Sequence, residues 1–405
     1  MATMSSAAVE EITKEIIKPT TPTPYQLRNF NISLLDQYMP PNYTPLILFY
    51  PVAVANTTES KLHDDLGLLK RSLSETLVHF YPMAGHDYES LILFFPSEVV
   101  SINFVKEAQV IIQVNMFDCG GTAISLCVSH KIADACTMNT FIRNWVGNTS
   151  EFASLTTTNQ NLLPSFDSAS LFPPSEQLVC PSEVPSTPIS YPNDDNSGGK
   201  GVSKRFVFDA LKITSVREKL QVLMHDHYKC RRPTRVDIVT SLVRKAAMKS
   251  APSDGFLPMA NHVMNFRKKM DPPLPDVSFG NLCAVVTTTS SSANDEVEVQ
   301  EVLEDQLVEL ITLLMGEKDK VKGDKGCIAK IFLSCINGDD DDSKAKNSDD
   351  HPIWVTTDLS MVEPNQNLIC MIDKKCGQGI EVSAKFLEND MAKFELHLSE
   401  ILKLF

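Results

Sequence analysis

The sequence predicts an α/β architecture with mixed sheets in two domains, and three observations carry that expectation. Apolar runs of strand length alternate with segments of helical spacing in both halves of the chain. The composition shifts at Cys180–Lys204 to Pro, Ser, Gly and Asp with little to bury, which is the pattern of a linker. At 405 residues the chain has room for two ordinary domains. The expected division is residues 1–180, a linker over 181–203 and residues 204–405.

Taken in order, a short strand is expected before "PTTPTP", whose prolines suit neither a helix nor a central strand. "PLILFYPV" (Pro45–Val52) is an apolar run bounded by prolines and reads as a buried strand. Leu62, Leu66, Leu69, Leu73 and Leu77 recur at steps of four and three, so they mark one face of a helix ended by Pro82 and Gly85. "VIIQVNMF", a Cys-Gly-Gly turn and "TAISLCVS" read as a hairpin. Helical spacing resumes in "CTMNTFIRNWV". In the second half, "RFVFD" reads as a strand. "PTRVDIVTSLVRKAAMKS" reads as a helix opened by Thr234, with Asp237 completing a capping box. "ANHVMNFRKKMDPPLPDVSFGN" reads as strand, basic turn and proline-stiffened loop. A long acidic helix with leucines on one face follows, and then the charged stretch Asn337–Asp350 reads as disordered. "IWVTT", "NLICMIDKK", a "CGQG" turn, "IEVSAKF" and a terminal helix close the chain.

Composition narrows the function classes. Hydrophobic residues make up 43% and charged residues 22%, the balance of a soluble globular protein. A formal charge of −14 argues against nucleic acid as partner, because duplex binding needs clustered positive charge. Ten cysteines occur without a C-x-x-C pair, which predicts reduced thiols and neither a disulfide framework nor a zinc site. The first residues lack a basic segment followed by an apolar one, and no apolar run is long enough to span a bilayer. The expectation is a cytoplasmic protein, a monomer, without a membrane or nucleic-acid partner.

One short pattern raises a question of chemistry. In "VSHKIADA" (Val128–Ala135), His130 precedes Asp134 by four residues, and none of the other histidines among the nine has aspartate at that spacing. His130 falls at the end of a predicted strand, where side chains often face a cleft. Two readings are open on the residues alone: a general base, or a core histidine satisfied by backbone. His225 and His227 in "MHDHYKC" resemble a metal pair but lie in a polar stretch with no third ligand; a solvated loop is expected there, and no metal site. Cys119 has no base beside it and reads as a packed thiol.

Several stretches together are far more specific. "LLDQ" with "ILFYP" behind it, "FYPMAG", "FDCGGTAI", "SHKIADA", "KRFVFD", "PTRVDIV", "NFRKKMDPPLPDVSFGN" and the closing "GIEV" occur in an order and spacing that span nearly the whole chain. In these the sequence resembles the plant BAHD acyltransferases, the acyl-CoA-dependent transferases with an HxxxD motif, and within them the vinorine synthase-like branch. The resemblance implies two chloramphenicol-acetyltransferase-like domains with a channel between them. It implies His130 as general base for transfer of an acyl group, acetyl in this branch, from acyl-CoA to a small-molecule alcohol, with no bound cofactor. It also implies that Asp134 turns away and pairs with Arg267, with Asn265 nearby, so that both support the site without carrying protons. Gly120 and Gly121 allow a sharp turn, either near the channel or as an ordinary hairpin closure. For acyl-CoA, Lys204, Arg231, Arg232 and Arg235 are basic enough to contribute, with Ser278 of the "PDVSFGN" stretch beside them; ordinary surface charge is the alternative.

The chain departs from the family pattern in two places. The second family motif, Asp-Phe-Gly-Trp-Gly, is absent, and the acidic stretch Asn337–Asp350 stands before "HPIWVTT". After "FYPMAG" His86 replaces the arginine common in the family, and the segment leading to the Cys-Gly-Gly turn is short. These departures leave two readings: an active acyltransferase, or a silent relative or mis-spliced gene product that transfers nothing.

Overall fold

A computed structural model of the chain describes residues 13, 15–39, 43–50, 59–84, 108–117, 120–148, 163–175, 201–227, 232–250, 259–289, 300–321, 323, 354–357, 367–374 and 377–405. The chain divides into two compact units, Met1–Ser190 with Asp276–Asn281, and Tyr191–Pro275 with Leu282–Phe405. The stretch after Gly85, most of the predicted linker, Cys119, Arg231 and the acidic stretch Asn337–Asp350 lie outside the described residues.

The first unit contains α1 (Leu34–Tyr38), β1 (Tyr43–Tyr50), α2 (Glu59–His79), β2 (Val110–Met116), β3 (Thr122–Ser129), α3 (Ala135–Gly147) and α4 (Ser168–Leu171). Its strands form an antiparallel sheet in the order β1-β3-β2. The predicted hairpin is present, with Met116 opposite Thr122 and Gly120 in the left-handed region at φ 82°. Gly120 N donates to Phe117 O at 2.7 Å and Phe117 N to Gly121 O at 3.0 Å, which closes the turn.

Two expectations are corrected here. The run at Pro45–Val52 was expected to be buried; within β1 only Tyr43 and Thr44 are, and Phe49 is 72% exposed. β1 lies at the sheet edge, the position where a strand tolerates a proline such as Pro45, while β3 is flanked on both sides and buried along nearly its whole length. An apolar run alone does not separate edge from centre. The short strand expected before "PTTPTP" is absent from Glu15–Lys18. That segment finds its partners on α2: Thr20 N donates to Ser74 O at 3.1 Å, and Lys70 pairs with Glu15 at 2.6 Å.

On the predicted leucine face of α2, Leu73 and Leu77 are buried and Leu66 and Leu69 half-buried. α3 is tied to it by Trp145 Nε1 donating to Leu69 O at 3.0 Å and Asn148 Nδ2 to Thr76 Oγ1 at 3.0 Å. An aromatic cluster completes the packing, with Phe279 centred 5.6 Å from Phe30 and 5.1 Å from Phe166. Such pairs contribute roughly 0.5–1.5 kcal/mol each beyond area burial.

The second unit contains β4 (Gly201–Phe208), α5 (Ala210–His227), α6 (Arg235–Ser250), β5 (Met259–Asn265), β6 (Cys283–Thr289), α7 (Gln300–Lys320), β7 (Trp354–Thr357), β8 (Asn367–Asp373), β9 (Ile380–Leu387) and α8 (Glu388–Lys403). A six-stranded sheet runs β4-β9-β8-β7-β5-β6, parallel at β5-β7 and β7-β8 and antiparallel elsewhere. This is the mixed sheet expected from the sequence. The loop expected around His225 and His227 is corrected: α5 runs through both, since Leu220 and Met224 extend its buried face and carry the helix to its end.

α6 is the most buried helix described, because it packs against α5, α7 and α8. Its predicted capping box is formed: Thr234 N donates to Asp237 Oδ2 at 2.8 Å and Asp237 N to Thr234 Oγ1 at 3.2 Å. Burial on all sides encloses polar groups, several of which find partners within the unit. Lys318 Nζ lies 2.9 Å from Asp237 Oδ1. Arg244 Nη2 donates to Thr288 O at 2.9 Å, and its Nη1 to the Thr288 hydroxyl. The same hydroxyl lies 2.9 Å from His262 Nε2 and donates to Ala260 O at 3.4 Å.

Burial, followed by the Arg244 and Lys318 charges, lowers the pKa of His262 to about 3 against the smaller opposing pull of Asp237. The folded state therefore keeps His262 neutral while the unfolded chain binds a proton below about pH 6.5. The stability tied to this residue is full above that pH and is lost as the pH falls from about 6.5 toward 3. We expect the unfolding free energy to drop by about 1.4 kcal/mol per pH unit over that window. In His262→Gln the same stretch of a urea-midpoint profile should be flatter by that slope; an unchanged profile would show that another group sets it.

Candidate functional site

His130 follows β3 directly, so the strand delivers it to the turn Ser129–Asp134 that leads into α3. It is half-buried. Asp134 at the other end of that turn caps α3: its Oδ1 accepts from Thr137 N at 2.8 Å. Helix N-caps of this kind contribute roughly 1 kcal/mol. The cap is thus expected to account for about 1 kcal/mol, read as the difference in urea midpoints between Asp134→Ala and Asp134→Asn. Asp134→Asn retains a capping oxygen and so isolates the effect of the charge.

The residue that meets the imidazole is Asn281. Its Oδ1 lies 3.0 Å from His130 Nδ1, while its Nδ2 donates to His130 O at 2.8 Å. Nδ2 also donates to Asp36 Oδ1 at 2.8 Å, and the Asn281 backbone N reaches the same oxygen at 2.8 Å. The other oxygen of Asp36 accepts from Ser33 N at 2.8 Å and Ser33 Oγ at 2.7 Å, completing a capping box at α1. Asp36 and Asn281 are fully buried. Burial pushes the Asp36 carboxyl above the usual carboxylate range, with the hydrogen bonds from Ser33 and Asn281 pulling the other way.

The Asp276–Asn281 segment is pinned along its length within the first unit. Phe279 N donates to Ser165 O at 2.8 Å, and Ser278 forms an isolated bridge with Ser165. Thr137 Oγ1 donates to Gly280 O at 3.0 Å and accepts from Gly280 N at 3.2 Å. Gly280 sits at φ 118°, and a Cβ there would meet Ser168 Oγ at 3.0 Å, so this approach is open to glycine alone. The two ends of the His130–Asp134 turn therefore grip one strap: Asp134 through Thr137 and Gly280, His130 through Asn281.

In the second unit, Arg267 is wholly buried, unlike its exposed neighbour Lys268. Its Nη1 and backbone N donate to Asn265 Oδ1 at 3.2 and 3.0 Å. Lys204 pairs with Glu395 at 2.5 Å and Arg235 with Asp373 at 3.2 Å, so each is held on the surface by an acidic partner. Ser278, fully inside the first unit, shares its segment with Asn281. An open groove of about 660 Å³ lies in the second unit, lined by Asp209, Leu211, Lys212, Ser215 and Lys374 among others; none of the residues singled out from the sequence lines it. Among the described residues no cluster of His, Cys, Asp and Glu could hold a metal, and no helix is long and apolar enough to cross a membrane.

Asp36 and Asn281 carried no assigned role in the sequence reading. A signal for Asp36 was available: Ser33, just ahead of "LLDQ", and Asp36 within it stand at capping-box spacing. Asn281 had none, because its link to His130 spans 151 positions.

The profile of the Transferase family matches residues 7–89 and 86–324. The chain belongs to that family, the BAHD acyltransferases. Its match breaks just after "FYPMAG" and ends before Asn337, the two places where the sequence departs from the pattern. The chain is 53% identical to (13S,14R)-1,13-dihydroxy-N-methylcanadine 13-O-acetyltransferase AT1 and 52% identical to salutaridinol 7-O-acetyltransferase, both of Papaver somniferum, over the full length of each chain. The first alignment runs over 481 positions against the 405 residues of this BAHD chain, so part of that relative's sequence has no counterpart here. The crystal structure of vinorine synthase superposes with a TM-score of 0.70 at 22% identity, covering 97% of this chain and 98% of the other. The fold is thus that of the BAHD acyltransferases, and the chain is an enzyme of that family.

Proposed function

We propose that the chain transfers an acetyl group from acetyl-CoA to a hydroxyl of a plant alkaloid or a related specialised metabolite, with His130 as general base. The observation that carries this reading is His130 itself, held half-buried at a strand end by a side-chain partner on Nδ1, in a chain 53% identical throughout to an alkaloid O-acetyltransferase. An alcohol attacks a thioester slowly unless its proton leaves as the new bond forms, and a neutral imidazole serves as base at cytosolic pH. In the proposed step the acceptor oxygen bonds to the acyl carbon while Nε2 takes the hydroxyl proton. The C–S bond then breaks, and the proton passes to the departing CoA thiolate. No acyl-enzyme forms, because both substrates meet at the base.

Arg267 is proposed to neutralise Asp134, which gives the aspartate of the HxxxD motif a structural role and leaves the proton to His130. The silent-relative reading draws its support from the absent second motif. Thiol release from acetyl-CoA separates the two. An active enzyme releases thiol with a panel of alkaloid and terpenoid alcohols and not with their O-methyl ethers. Release that ignores the free hydroxyl, or no release from folded protein across the panel, would sink the proposal.

A further inference from the structure

Resting on the reading of His130 as base, the geometry points to Asn281 and Asp36 as the positioning residues that set the tautomer of His130. A neutral imidazole carries one N–H, and only the other nitrogen can take a proton. Which nitrogen is bare is decided by the group facing Nδ1, and that group is the Asn281 carboxamide.

The orientation of the carboxamide follows from its neighbours. Its Nδ2 lies 2.8 Å from Asp36 Oδ1 and 2.8 Å from the His130 carbonyl, an ionised carboxylate oxygen and a backbone oxygen that only accept. A flipped carboxamide would set its oxygen against both, inside a site from which water is excluded. Oδ1 is therefore the atom 3.0 Å from Nδ1, and an amide oxygen needs a donor. Nδ1 carries the hydrogen, and Nε2 keeps the lone pair that the proposed step uses. Asp36 is what makes this one-way. Its carboxylate accepts from Asn281 N, Asn281 Nδ2, Ser33 N and Ser33 Oγ, so every acceptor direction is matched in the ionised form. Asn281 also grips the His130 backbone, so ring and main chain are held by one side chain. An amide partner orients the ring without the full charge that a carboxylate would place on it, and the buried charge sits one residue further back.

The test is the ring-nitrogen NMR spectrum of protein labelled with 15N-histidine, with the His130 signals identified by their loss in His130→Ala. The wild type should show a protonated Nδ1 and a bare Nε2. In Asp36→Asn the group facing Asn281 can donate as well as accept, so the carboxamide can turn; the His130 signals should move toward a mixture and kcat should fall about tenfold or more. In Asn281→Ala kcat should fall on the order of 10²-fold, with KM for acetyl-CoA nearly unchanged. A wild-type spectrum with the hydrogen on Nε2 overturns the assignment, and so does lost turnover with the His130 signals unmoved, which marks a structural role only. If Asn281→Ala does not fold, the wild-type spectrum and Asp36→Asn decide. Turnover that survives His130→Ala would instead remove the base reading, leaving the tautomer to the spectrum alone.

Discussion

His130→Ala is expected to lower kcat for acyl transfer by about 10²–10⁴-fold, the range that a positioned general base contributes. KM for acetyl-CoA should stay close to wild type, because the side chain acts on the acceptor's proton as the bond forms. The substitution removes a half-buried ring at the end of β3 and leaves the strand register Tyr43 to Ser129 intact. Stability should therefore change by about 1 kcal/mol or less, and circular dichroism and urea midpoints will show whether lost turnover is chemical. The residual rate reflects substrates brought together without a base. A variant that matches wild-type turnover would exclude His130 from the reaction.

Arg267→Leu is expected to be the most destabilising single change considered, at about 3–5 kcal/mol. Arg267 is the largest fully buried side chain among the described residues, and Asn265 Oδ1 accepts from both its side chain and its backbone N. Leucine fills much of the volume and cannot donate, so Asn265 Oδ1 loses its side-chain donor. If Asp134 supplies the compensating charge as proposed, Asp134→Asn should cost a similar amount despite retaining the α3 cap. The double variant should then recover part of the loss in a double-mutant cycle. Strict additivity of the two changes in urea unfolding would reject the pairing. Wild-type stability with lost turnover in Asp134→Asn would assign the aspartate to catalysis.

Where local chemistry dominates, the sequence carried the structure. The leucine face of α2, the hairpin at Gly120 and the capping box at Thr234 and Asp237 each depend on residues a few positions apart, and each formed as read. In the second unit β4, β5, α6, α7 and the closing elements were legible for the same reason, whereas α5 and β6 were not read. The failures share the opposite cause. Pro45–Val52 looked buried because it is apolar, yet exposure depends on whether a strand has one neighbour or two. Glu15–Lys18 looked like a strand, but its partner is a helix more than fifty residues away.

The site divides along the same line. The HxxxD spacing and the family stretches are properties of the chain, so His130, Asp134 and the transferase family were within reach of the sequence by itself. The burial of Arg267 beside an exposed Lys268 was not, since both occupy one basic turn. Nor was the partner of the base. Asp36, His130 and Asn281 are brought together from three distant segments, and the hydrogen bonds among them exist only once Gly280 lets the strap pass against α4 and α3. Residue types determined which chemistry was available. Tertiary structure decided which nitrogen of His130 is free to perform it, because hydrogen-bond direction is set by neighbours in space and not by neighbours in the chain.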